Sequence, residues 1–166
     1  MPMQWRGRSA ALAVALPILA FVAVAGSAGL GLADPALNVT RADGSILERV
    51  SLPADGSFTL RYRNSLYGTL AEERFVIGEG GRIELVELGA EQLAVLEEYY
   101  AIDEAASRGA DGAWSASPAH VPETTSLRIA ATDLGQRTLL VDGHSPIELW
   151  RLVDDANPTV VIELDR

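Results

Sequence analysis

From Ser9 to Ala33 the chain carries no charged side chain, and this run constrains everything on either side of it. Its length of about 25 residues exceeds the apolar core of a signal peptide and reaches the roughly 20 residues of a helix that crosses hydrocarbon. Arg6 and Arg8 precede the run and all 23 acidic residues follow it. The positive-inside rule then keeps the two arginines in the cytoplasm and sends residues 34–166 to the outer face of the membrane. The competing reading is a cleaved signal peptide, because Gly26, Ser27, Ala28, Gly29 and Gly31 weaken the second half and Gly31-Leu32-Ala33 offers a small-x-small cleavage site. Both readings export the domain. A buried core helix of a cytosolic protein is the third alternative, against which the length and the two leading arginines argue. The expected organisation is therefore 1–33, membrane anchor or signal peptide, and 34–166, one extracytoplasmic domain in the cell envelope, anchored in the cytoplasmic membrane or secreted.

That second part has the size of a single domain. All 13 basic residues are arginine, and with two of them before the apolar run the exported part holds 11 against 23 acids, a net −12. Phosphate backbones are held by clustered cations, so nucleic acid is not an expected partner. The chain has no cysteine, which excludes disulfides, thiolate nucleophiles, cysteine-ligated zinc and iron–sulfur clusters.

After Pro35 the residues alternate apolar and polar between short Gly, Asp and Pro marks. Strands are expected at 37–41, 45–52, 57–63, 72–77, 82–88, 126–131, 137–141, 147–153 and 159–164. Ala-Asp-Gly-Ser at 42–45 and again at 54–57, and Asp142-Gly143, are turn sequences, because Asp-Gly tolerates the positive φ of tight turns. The segment 89–106 is rich in helix formers and places Leu93, Leu96 and Tyr100 at helical spacing, so one short helix is expected there, closed by Gly109 and Gly112. Residues 108–125, with Trp114 and His120, read as a long connecting loop; loops of that length either bind ligands or are disordered, and the binding reading is preferred. The fold class is all-β, a mostly antiparallel sandwich or partly closed barrel of about eight or nine strands with one short helix.

The stretch 58–77 reads as a hairpin. Phe58, Leu60 and Tyr62 share one face of its first strand, and Phe75 and Ile77 one face of its second. Merging these faces by pairing 60 with 75 and 58 with 77 puts Tyr62 opposite Glu73, and Arg63 against Glu72 as an exposed ion pair. Glu73 becomes the one charge on an apolar face. A carboxylate there needs a partner, and the Tyr62 phenol, the Asn64 amide and the Ser65 hydroxyl are the nearby candidates. Tyr62, Asn64, Ser65 and Glu73 are accordingly the candidate ligand- or partner-binding residues; a satisfied polar group at a sheet end is the plainer reading of the same cluster.

Other chemistry is sparse. Asp142, His144 and Ser145 lie too close in sequence to align as a triad, no Gly-x-Ser-x-Gly elbow is present, and His144 reads as turn chemistry. Asp154–Pro158 reads as a hairpin turn rather than a calcium loop, since the ligand spacing of an EF-hand is absent. No phosphate loop, dinucleotide fingerprint or His-Glu-x-x-His pattern occurs, so no catalytic residue, metal or cofactor is expected. Tyr99, Tyr100 and Trp114 are either core or the lining of one end of the domain.

Arg61–Phe75, RYRNSLYGTLAEERF, followed by a strand and Leu-Gly-Ala-Glu-Gln-Leu and by the terminal LLVDGHSPIELWRLV, resembles the DUF1850 family over roughly 37–165. The family segment typically runs Tyr-x-His-Ser-Val and then Thr-Pro-Val-x-Glu-x-aromatic. Ser65, Thr69, Glu73 and Phe75 fit it; Asn64 stands where His is usual, Leu70 where Pro is usual, and Gly89-Ala90-Glu91 replaces a Gly-Ala-Gly segment. The resemblance implies a small bacterial envelope protein with an N-terminal hydrophobic segment, encoded beside TAXI-type TRAP solute transporters, and no enzymatic activity. Asn64 hydrogen-bonds but cannot titrate, which turns the segment from acid–base work toward binding. The expected function is a membrane-anchored, non-catalytic accessory or binding protein whose partners are the membrane or solute-binding subunits of such a transporter. The alternative is a free-standing envelope domain that binds a small ligand between the sheet end and the 108–125 loop. A hydrolase using Glu73 or His144 is a third reading, without the mutual geometry such chemistry requires.

Overall fold

A computed structural model of the chain describes residues 35–102, 105–119 and 123–165. The expected membrane segment and His120 lie outside them. Among the described residues no helix is long and apolar enough to cross a membrane.

The described part is mostly antiparallel β, as the alternation predicts. Twelve strands run in chain order: β1 (Ala36–Arg41), β2 (Ile46–Ser51), β3 (Phe58–Arg63), β4 (Leu70–Ile77), β5 (Ile83–Ala90), β6 (Ser107–Arg108), β7 (Trp114–Ala116), β8 (Glu123–Thr124), β9 (Ser126–Ala130), β10 (Thr138–Leu140), β11 (Ile147–Glu148) and β12 (Thr159–Leu164). They form two sheets, one ordered β2-β1-β12-β9 and the other β11-β10-β3-β4-β5-β7-β6, with β8 also on β5. The inward faces share one apolar core: Leu37, Val39, Val160 and Ile162 of the first sheet are fully buried, as are Ile83 and Leu139 of the second. The architecture is sandwich-like, two separate sheets over a common core.

Turn chemistry does what the sequence predicts in some places and something different in others. Asp43 accepts from the Ser45 N–H and Gly44 takes φ +85°, closing the β1–β2 hairpin. The second Asp-Gly copy uses the same contacts, Asp55 to the Ser57 N–H, but carries the chain from β2 in one sheet to β3 in the other. Gly56 sits there at φ +66°, and a Cβ on it would lie 3.1 Å from Ile77 Cβ, so only glycine fits easily. Asp154 accepts from the N–H groups of Ala156 and Asn157, making the expected turn. It is not a hairpin turn, because β12 pairs with β1 and β9 rather than with β11.

Four further expectations are corrected. The strand expected over 147–153 stops after Glu148 and becomes a tight helical turn, Leu149–Arg151, that buries Leu149. The helix expected over 89–106 shrinks to a single wide turn, Val95–Tyr99, because Gly89 and Ala90 are held in β5 by pairing with Ser115 and Trp114 of β7. Gly109 and Gly112 therefore close the β6–β7 hairpin and not a helix. The 108–125 stretch is consequently not one loop, since β7 and β8 both add to β5.

The hairpin of β3 and β4 forms with its faces as expected, but in a register displaced by two residues. Phe58 pairs with Phe75, Leu60 with Glu73 and Tyr62 with Ala71. A two-residue shift keeps every side chain on its own face, so face matching could not tell the two registers apart. Phe58 and Phe75, stacked with centroids 5.2 Å apart, favour the observed pairing. The ion pair with Glu72 comes from Arg61 at 2.7 Å, not from Arg63.

A cysteine-free chain makes this register directly testable. The Arg61→Cys/Glu72→Cys variant joins opposed positions and is expected to form a disulfide under mild oxidation. Arg63→Cys/Glu72→Cys joins a diagonal pair about 7–8 Å apart and is expected to stay reduced. Thiol titration with mass spectrometry reads the difference, and the reverse result would restore the register expected from face matching.

Candidate functional site

Glu73 lies on the inward face of β4, directly between two leucines: Leu60 of β3 on one side and Leu88 of β5 on the other. Its side chain is 17% exposed. An ionised group so placed needs charge or hydrogen bonds, and both arrive from connections rather than from the strands beside it. Tyr100, just past the Val95–Tyr99 turn, donates its hydroxyl proton to Glu73 Oε1 at 2.7 Å. Arg137, just before β10, brings a guanidinium to within 3.6 Å of Oε2.

Tyr62 joins at one remove. Its hydroxyl lies 2.7 Å from that of Tyr100. Tyr100 spends its proton on the carboxylate, so Tyr62 is the donor to Tyr100 and the chain runs Tyr62 to Tyr100 to Glu73. Extending the β10–β3 register by one residue puts Arg137 across from Tyr62, and its Cζ stands 4.5 Å over the centre of the Tyr62 ring. Burial pushes the Tyr62 phenol up to about 12, reinforced by the negative charge of Glu73. Tyr100 is raised further, by burial first and then by the same carboxylate. Both phenols therefore stay protonated through neutral pH and act as donors.

The four expected residues are thus divided. Tyr62 and Glu73 belong to one network, although Tyr62 reaches Glu73 through Tyr100. Asn64 and Ser65 do not partner Glu73. The Asn64 side chain is buried and its Oδ1 accepts from the N–H groups of Leu66 and Tyr67, while its backbone bonds Thr69 and Gly68. That makes Asn64 the builder of the 64–69 turn between β3 and β4. Ser65 is exposed at the edge of a cleft of about 160 Å³ that also takes in Tyr99, Thr132, Leu134 and Arg137. Thr69 has a buried hydroxyl with no partner among the described residues.

Arg137 and Tyr100 are the functional residues that sequence reasoning missed as partners of Glu73. Tyr100 was legible as an aromatic near one end, but nothing local pointed it at a carboxylate; Arg137 carried only the general need of a buried acid for a counter-ion. Tyr99 does line the cleft, and Trp114 instead packs against the core beneath Arg108. His144 sits in the exposed β10–β11 turn, at the end of its sheet away from Tyr62–Ser65. Among the described residues no three metal-ligating side chains come together.

The site has a definite place in the domain. Pro35 and Leu52 are bonded at one end of the strands, while Arg41, six residues along β1, pairs with Val160 near the β9 end that leads to Thr132. The cleft therefore lies at the opposite end from the point where the chain enters the domain, about 20 Å along the strands. The fold and site define an antiparallel two-sheet domain with a tyrosine–carboxylate–arginine cluster under a small cleft at its far end. Comparison with family models, with curated proteins and with solved structures finds no match to this chain.

Removing the Tyr100 hydroxyl with Tyr100→Phe leaves Glu73 without its hydrogen-bond donor and is expected to cost about 2 kcal/mol in urea unfolding; Tyr62→Phe, which removes a neutral pair, is expected to cost about 1 kcal/mol. The phenols also set an alkaline limit. Their folded values lie above the unfolded value of about 10, so their contribution is complete below about pH 10; the Tyr62 share is lost as pH rises through about 12, and the Tyr100 share falls from about pH 10 upward. The wild-type unfolding midpoint should fall over that window, and a Tyr62→Phe/Tyr100→Phe variant should show a flatter profile; parallel profiles would exclude the phenols as the cause.

Proposed function

We propose that this chain is a DUF1850-type envelope protein: an exported, membrane-anchored, non-catalytic domain that assists a TAXI-type TRAP uptake system by docking on its membrane or solute-binding subunits. What supports the reading is the gathering of exposed large apolar side chains at one end of the domain. Leu66 projects from the 64–69 turn, and Tyr99 and Leu134 line the cleft beside Ser65. Large exposed apolar groups collected around a polar centre mark interaction surfaces more often than scattered ones do. The end that carries them is distal to the entry of the chain at Pro35, where a tether from a membrane would join.

The Glu73 network favours binding over catalysis for a chemical reason. Its carboxylate is already engaged by Tyr100 and Arg137, and a general acid or base must instead have its proton-transfer atom open to substrate. A free-standing ligand-binding domain is the second reading, favoured by the cleft itself.

The experiment is co-purification of the tagged full-length chain from the membranes of its own host, with mass spectrometry of its partners and sequencing of its N-terminus. The expected result is recovery of TRAP-type subunits with an intact N-terminus, and loss of at least about tenfold of that recovery when Leu134→Glu places a charge in the patch. Recovery of the chain alone, or with a new N-terminus near Asp34, overturns the accessory reading.

A further inference from the structure

Arg137 is held in place but its hydrogen-bonding capacity is unspent. Its side chain is only 20% exposed, and a guanidinium has five N–H donors in a planar fork. Yet the contact with Glu73 at 3.6 Å lies beyond the 2.7–3.2 Å of an N–H···O bond. The other contact is the face of the Tyr62 ring, which accepts no fork-like pair. Among the described residues the Arg137 guanidinium makes no hydrogen bond, and the cleft is where it opens.

Arg137 lines the cleft together with Ser65, Thr132 and Asn64, and no acidic side chain does. Thr132 Oγ1 accepts from the Gly135 N–H at 3.2 Å, which leaves its own proton free to donate. In a chain of net charge −10 this is a concavity with no carboxylate in its lining. The exposed Arg63 guanidinium is turned to the Gly68 carbonyl, to which it donates at 2.7 Å, so Arg137 is the lining cation with an open fork, and a single planar fork matches the two oxygens of a carboxylate. Tyr99 and Leu134 supply an apolar wall on the solvent side.

We propose that this cleft binds a small organic monocarboxylate, its carboxylate paired with the Arg137 fork and its apolar body lying between Tyr99 and Leu134. The volume of about 160 Å³ sets the size, since a cavity of about 150 Å³ accepts benzene. Glu73 is then a positioning residue: with Tyr62 it aims the guanidinium, while its longer contact leaves the fork available for a bidentate partner. The inference rests on reading this end of the domain as its binding end, and it is independent of which subunits dock there.

The test is fluorine NMR of para-fluorobenzoate against full-length protein in detergent, with para-fluorobenzamide as the neutral isostere. The acid should broaden and the amide should not. Arg137→Gln should weaken acid binding by at least about tenfold, the loss of a charge-assisted bidentate pair. Glu73→Gln, which still accepts from Tyr100, should tighten it several-fold, because a negative charge facing that of the ligand is gone while the Tyr62 ring still holds the guanidinium in place. Should Arg137→Gln unfold by leaving Glu73 unpaired, Arg137→Gln/Glu73→Gln restores neutrality and is expected to show the same loss. Equal binding of acid and amide, no binding of the acid, unchanged binding without Arg137, or no tightening in Glu73→Gln each overturns the proposal. Benzoate binding in a chain that co-purifies with no transporter subunit overturns the accessory reading alone, and transporter recovery without benzoate binding overturns this one alone.

Discussion

A carboxylate on the core side of a β-strand dictates how this end of the domain is assembled. Glu73 stands between Leu60 and Leu88, both buried, and a charge left there without partners would cost several kcal/mol or be neutralised by protonation. The two groups that meet this requirement come from chain segments far apart in sequence, Tyr100 after β5 and Arg137 before β10. Ordering the carboxylate thereby orders the helical turn 95–99 and the entry into β10. The same contacts hold Tyr62, whose ring serves the core while its hydroxyl serves the network.

The network also separates two roles that a polar cluster at a sheet end can play. Its tyrosines are committed donors, raised well above their ordinary range and linked in a chain from Tyr62 through Tyr100 to Glu73. Its arginine is committed in position but not in hydrogen bonding, because a ring face and a 3.6 Å contact fix where the guanidinium lies without filling its fork. Rigid placement of an unsaturated donor lowers the ordering cost of binding, which is the physical content of preorganisation. The exposed ion pairs elsewhere, such as Arg61 with Glu72 and Arg74 with Glu87, have no such consequence, since solvent screens them on the outer face of the sheet.

Much of the fold was legible without coordinates because its signals are local. Alternation of apolar and polar residues defines which face of a strand is buried, and Asp-Gly pairs define where the chain can turn; of the nine expected strands, 159–164 appears as expected, seven appear with one or both ends shifted, and the ninth is cut to Ile147–Glu148. Failures came where a neighbour in space outweighed local preference. Gly89 and Ala90 sit in a helix-forming stretch, yet β4 and β7 flank them and hold them extended. The two-residue register error has the same origin: side-chain period is two, so sequence parity settles the face and stays silent on the partner.

The residues at issue show where each kind of information ends. That Glu73 faces inward follows from parity alone, since it shares the face of Phe75 and alternates with Glu72 and Arg74. That it requires a donor and a counter-charge follows from the cost of burying an ion. Which groups answer is a matter of three-dimensional proximity: Asn64, the nearest amide in the chain, is consumed by its own turn, while Tyr100 and Arg137, 27 and 64 positions away, arrive through the pairing of β5 and β10 into one sheet. Local sequence carries the demand for a partner, because burial and period are properties of one strand. Only the tertiary structure chooses the partner, because strand order brings distant connections to the same end.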